Sequence, residues 1–103
     1  MSDLKSGRQA VTTAGTAERL AEDPFRVDRV DIFALDANAD RVYVGDHAVS
    51  AVASNQQGAP LSAQEQLWFE NVDLADIWID AAVSGEGVTW IARLAFETFT
   101  TSV

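Results

Sequence analysis

Short stretches in which apolar and polar residues alternate constrain the fold of this chain more than any other feature of its sequence. In the clearest stretch, 76–83, every second residue is apolar and would share one face: Ile77, Ile79, Ala81 and Val83. The opposite face would then carry Asp76, Trp78, Asp80 and Ala82. Successive side chains of a β-strand point to opposite faces of a sheet, so this period of two predicts half-buried strands.

Turn-forming residues separate these stretches. Residues 36–40 and 84–87 each lie between two alternating segments, and strands recur about every 8–12 residues, a spacing typical of sandwiches and barrels. Residues 62–65 fit a helix capping box, but no sustained helical period follows them. We predict an all-β fold: an antiparallel β-sandwich, jelly-roll-like, with about 7–9 strands and a helical turn or two at most.

The length of 103 residues suffices for one domain with one core. We predict a single β-sandwich over 1–103, with a flexible N-terminal arm at 1–8 and a C-terminal strand or docking tail at 94–103. The core should contain the inward residues of the strands: Ile32, Val42, Val44, Ile77, Ile79 and Trp90.

Acidic residues outnumber basic ones by sixteen to seven, which gives a net charge of −9, and they recur along the whole chain. Such a field repels phosphate and anionic lipid, so we expect neither nucleic acid nor membrane as a partner. Dispersed acids with a single lysine, Lys5, resemble the composition of proteins from halophiles. An acidic protein of a mesophile is the alternative. The N-terminus has no apolar segment, so we predict no signal peptide.

Residues that could carry chemistry are few. His47 beside Asp46 lacks the further ligands of a metal or catalytic site, and the chain has no cysteine. Asp36, Asn38 and Asp40 have the spacing of half a calcium loop, but Arg41 and His47 occupy the positions of its glycine and its last glutamate. Asp76 and Asp80 are expected on a solvated strand face. We therefore predict no catalytic site, no metal, no cofactor and no enzymatic activity.

The aromatic residues suggest an interface. Trp78 alternates with aspartates, and Trp68 and Phe69 must face opposite ways if the chain is extended there. Aromatic side chains on an outer face are typical of contacts with a neighbouring subunit or a sugar ring; cover by the chain's own segments is the alternative. The predicted interface residues are Trp68, Phe69, Trp78, Phe96 and Phe99.

Several motifs resemble those of a known family: 42–46 (VYVGD), Pro60 and Leu61 followed by Glu65, 73–81 (DLADIWIDA) and 85–88 (GEGV). Over roughly residues 10–92 the chain is similar to the small β-sandwich virion proteins of tailed viruses. It departs at Gln64, where the family usually has glycine before the glutamate, and at Trp78, where tyrosine is usual.

The resemblance implies a non-enzymatic virion structural protein: a capsid-associated decoration, turret or connector subunit present in many copies. It would be made in the host cytoplasm and reside in the virion. Its partners would be the major capsid protein or other head or tail components, together with copies of itself; the acidic composition would suit a halophilic host. The alternative is a carbohydrate-binding or adhesion module that contacts host glycans, with Trp68 and Trp78 as a stacking platform.

Overall fold

Eight β-strands and one 3-10 turn form the computed structural model, which describes residues 4–94. In chain order they are β1 (Leu4–Ala10), β2 (Glu18–Arg19), β3 (Arg26–Ala34), β4 (Val42–Gly45), β5 (Ala59–Leu61), β6 (Gln66–Asp73), the 3-10 turn (Leu74–Asp76), β7 (Trp78–Ala81) and β8 (Gly87–Leu94). No helix in the described part of the chain is long and apolar enough to span a membrane.

The strands form two antiparallel four-stranded sheets. The first sheet has the order β1-β8-β3-β6 and the second sheet the order β2-β7-β4-β5. All neighbours in the two sheets except β4 and β5 are non-consecutive in the chain. This pair of orders is the eight-stranded arrangement of two Greek keys that defines a jelly roll. The prediction of an all-β, jelly-roll-like sandwich with little helix is confirmed.

The core lies between the sheets and consists of their inward-facing side chains. Each residue predicted for the core is buried: Ile32, Val42, Val44, Ile77, Ile79 and Trp90. Val83, which alternation assigned to the same face as Ile79, is instead 41% exposed. Strand β7 ends at Ala81, so Val83 lies in the following turn, where the period of two no longer applies.

The predicted N-terminal arm at 1–8 is wrong for residues 4–8, which belong to β1 and pair with β8 from Leu4 opposite Arg93 onward. Gly7 lies opposite Trp90, and a Cβ added to Gly7 would come within 2.6 Å of the indole. Glycine therefore leaves room for Trp90 beneath the edge strand. Of the predicted C-terminal strand or tail at 94–103, Leu94 ends β8 and the remainder lies outside the described residues.

The capping box at 62–65 forms a turn without a helix. The Glu65 carboxylate accepts the backbone N–H of Ser62 at 2.7 Å, as such a box requires. However, Gln64 has a φ of 71°, outside the helical region, and β6 begins two residues later at Gln66. The hydrogen bond of the capping box therefore forms, but the chain continues into strand β6 instead of a helix.

Candidate interaction surface

The outer face of the first sheet, hereafter the open face, carries large exposed apolar side chains. Ile91 on β8 lies opposite Ser6 on one side and Asp31 on the other, and Asp31 in turn lies opposite Trp68. Trp68 is 53% exposed and Ile91 is 42% exposed, and Leu4 at the edge is 56% exposed. These are three of the five large apolar residues that are exposed among residues 4–94.

Arg29 organises the middle of the open face. Its Nη2 lies 2.9 Å from an Asp31 carboxylate oxygen, and its guanidinium carbon lies 4.8 Å from the centre of the Trp68 ring. Hydrogen bonding to Asp31, aided by the negative charges of Asp31 and Glu70, raises the pKa of Arg29. Arg29 is exposed and Asp31 half-buried, so the ion pair adds little stability, but it holds a charged guanidinium against the indole.

A shallow depression of about 400 Å³ lies beside this cluster, across β1, β8 and β3. Leu4 and Ile91 supply its apolar walls, while Arg29, Asp31 and Arg93 supply charged ones. The open face thus has a protruding aromatic side chain on β6 and a partly apolar depression towards its opposite edge.

The basic residues are concentrated in the first sheet. Its strands carry five bases, Lys5, Arg8, Arg26, Arg29 and Arg93, against four acids, Asp28, Asp31, Glu70 and Asp73. The rest of the described chain carries only two bases, Arg19 and Arg41, against ten acids. The first sheet is therefore close to neutral in a chain whose net charge is −9.

The outer face of the second sheet is covered by the chain itself. Residues 46–58, hereafter the cover segment, place Val49 and Ala51 against Tyr43 in a small second cluster, and Trp78 packs against that cluster. The guanidinium carbon of Arg19 lies 5.1 Å from the centre of the Trp78 ring. Trp78 is half-buried as a result, so internal cover accounts for most of its environment.

The predicted interface residues thus lie in different places. Trp68 is on the open face, whereas Phe69 points inward and is half-buried against the main core. Phe96 and Phe99 lie outside the described residues. Because Trp68 and Trp78 are on the outer faces of opposite sheets, the prediction of one stacking platform made of both is wrong.

Asp80 is fully buried, and its predicted place on a solvated face is wrong. One carboxylate oxygen accepts the N–H groups of Gly15 at 3.0 Å and Ala81 at 2.8 Å, and the other accepts that of Ala51 at 2.8 Å. Three charge-assisted hydrogen bonds offset the cost of burying a carboxylate. Asp76, by contrast, is exposed at the end of the 3-10 turn.

Asn38, in the predicted half of a calcium loop, has a structural role. It is buried, its Nδ2 donates to the Gly87 carbonyl at 2.9 Å, and its Oδ1 accepts the Gly87 N–H at 3.3 Å. The turn after β3 is thereby fixed to the start of β8. His47 is exposed, and within 4–94 no three His, Cys, Asp or Glu residues are grouped to hold a metal ion.

Comparison with protein-family models, with curated proteins and with solved structures found no match. The similarity to virion proteins of tailed viruses stays a prediction from the sequence motifs. The geometry itself defines a jelly-roll sandwich with one sheet covered by its own chain and one sheet open, nearly neutral and partly apolar.

Proposed function

We propose that this chain is a non-enzymatic virion structural protein: a capsid-associated decoration, turret or connector subunit that assembles in many copies. The observation that carries the proposal is the open face, on which Trp68, Ile91 and Leu4 are exposed. The outer face of the second sheet, by contrast, is covered by the chain itself. Exposed apolar patches on a small domain mark association sites. The jelly roll is also an architecture that capsid domains use, and the sequence motifs point to the same class.

A role in a repetitive assembly suits a domain of this size. Symmetric particles use one small patch many times, so each copy needs only a modest contact to be held. The head or tail protein that receives the subunit would meet a surface that presents Trp68 together with Arg29 and Arg93, and tryptophan and arginine are residue types that often anchor protein interfaces.

Particles from a culture that carries the gene provide the test. The chain should band with purified particles in a density gradient, in many copies per particle by quantitative mass spectrometry. Ile91→Glu should be lost from particles, whereas Val83→Glu, at a position of nearly equal exposure in the turn after β7, should be retained. Absence of the chain from particles would contradict the proposal, and host-glycan binding without incorporation would support an adhesion module instead.

A further inference from the structure

Apart from particle attachment, the open face has features that suit a second copy of this chain. The first feature is charge. Two chains of −9 repel each other, and outside the first sheet the described residues carry two bases against ten acids. Approach through the open face brings together two nearly neutral sheets, whereas contact through any other surface would bring together regions in which acids outnumber bases.

Shape is the second feature. Trp68 protrudes from β6 at one edge of the sheet, and the depression beside Leu4 and Ile91 lies towards the other edge, at β1 and β8. Cross-strand pairing places Ser6, Ile91, Asp31 and Trp68 in a single row across the four strands. A two-fold axis parallel to the strands, between β8 and β3, would therefore lay β6 of each copy over β1 of the other.

We propose that two copies pair face to face through their open faces, with Trp68 of each seated in the depression beside Leu4 and Ile91 of the other. Such an isologous contact is the commonest way in which identical chains associate. Sheets packed in this manner cross at about 30° and interdigitate their side chains. The proposed pairing concerns chains that are not attached to a particle, so its test does not depend on the proposed virion function.

The contact is small. Four strands about 4.8 Å apart and about six residues long give a face of roughly 20 Å by 20 Å. The area of this face is below the ~800 Å² that each partner buries in a standard interface. The dissociation constant of the dimer should therefore be micromolar or weaker, so that the dimer forms fully only at high protein concentration. Because acidic regions still repel one another across the pair, about 2 M sodium chloride should tighten association about tenfold relative to about 0.1 M.

Analytical ultracentrifugation of the full-length chain tests the pairing over a wide range of concentration and salt. The parent should approach a dimer in molar sodium chloride. Ile91→Glu should raise the dissociation constant about thirtyfold or more, as expected for a central apolar anchor, and Trp68→Ala should act in the same direction without adding charge. Val83→Glu adds the same charge at a position 41% exposed, against 42% for Ile91, and should leave the constant unchanged.

Circular dichroism establishes whether each variant is folded. If the Ile91→Glu protein does not fold, the dissociation constant of the Trp68→Ala protein decides the test. A parent that stays monomeric at every salt and concentration overturns the pairing. So does an Ile91→Glu protein that dimerises like the parent, or a Val83→Glu protein that is weakened as much as Ile91→Glu. A dimer that dissociates as salt rises would also overturn it, because that trend indicates a basic surface bound to an acidic one.

Discussion

The side-chain carboxylate of Asp80 accepts the backbone N–H of Ala51 at 2.8 Å from a position with no exposed surface. Its other oxygen accepts the N–H of Gly15 at 3.0 Å, so one side chain ties two loops to β7. Ala51 belongs to the cover segment, which encloses Tyr43 and half-buries Trp78. Asp80 therefore helps to hold the cover segment over the outer face of the second sheet.

Replacement of this carboxylate should be costly. Asp80→Ala leaves the buried N–H group of Ala51 without its acceptor and leaves that of Gly15 with only the Ala81 carbonyl at 3.3 Å. We therefore expect a loss of about 3 kcal/mol or more in the free energy of unfolding. Urea denaturation measures this loss. Asp76→Ala, four residues earlier and exposed, is the matched control and should change stability by about 0.5 kcal/mol or less. Equal effects of the two substitutions would show that the Asp80 contacts do not stabilise the fold.

Ile79 tests the phase of β7. Its side chain is completely buried, so Ile79→Ala should cost about 2–5 kcal/mol through lost burial and the cavity that remains. Val83→Ala, at an exposed position in the turn after the strand, should cost about 0.5 kcal/mol or less. Chemical denaturation of both variants provides the comparison. A cost below about 1 kcal/mol for Ile79→Ala would contradict the assignment of this residue to the core.

Gly7 tests whether β1 packs as a true edge strand. A methyl group there would come within 2.6 Å of the Trp90 indole, so Gly7→Ala should displace the ring and cost about 1–3 kcal/mol. Near-ultraviolet circular dichroism should change as the indole moves. The neighbouring Ser6→Ala, on the exposed side of β1, should alter neither stability nor spectrum. If Gly7→Ala behaved like Ser6→Ala, residues 4–8 would be an arm after all.

Self-repulsion among the acids predicts salt-dependent stability and tests the halophile hypothesis. Between about 0.1 M and about 2 M sodium chloride, we expect the thermal midpoint to rise by about 5 °C or more as the charges are screened. A triple variant, Glu22→Gln, Asp23→Asn and Asp36→Asn, neutralises exposed acids and should be more stable in dilute buffer and less responsive to salt. A parent midpoint that does not change with salt would count against the hypothesis.

Alternation in the sequence predicts the strands and their inward faces because burial of one face imposes a period of two. It predicts Ile77 and Ile79 correctly and fails at Val83, where the strand has already ended. It also cannot distinguish a solvated outer face from one covered by a distant loop. Asp80 and Trp78 have the pattern of exposed residues, yet the cover segment, about thirty positions earlier, contributes to the burial of both. Ala51 donates a hydrogen bond to Asp80, and Trp78 packs against the cluster that contains Ala51, contacts that no local pattern encodes.

Local alternation also cannot predict which strands pair or which outer face stays open, because β1 pairs with β8 from the other end of the described chain. Residues 4–8 contain weak strand formers, above all Gly7, so local sequence does not predict β1, and the need for glycine is explained only by Trp90, which lies beneath it. The sequence predicts that one of Trp68 and Phe69 faces outward without deciding which. The neighbours of Trp68, Arg29 and Ile91, lie on other strands, and only the register brings the three together.

Thiol accessibility tests most directly whether the open face is the association surface. The chain has no cysteine, so Ser6→Cys on the open face and Ser54→Cys on the cover segment each introduce a single thiol at an exposed position. In concentrated protein and molar salt, reaction of the Ser6→Cys thiol with a maleimide should slow about tenfold relative to dilute protein, while the Ser54→Cys thiol reacts at an unchanged rate. Equal rates for the Ser6→Cys thiol under both conditions, or protection confined to the Ser54→Cys thiol, would contradict the account.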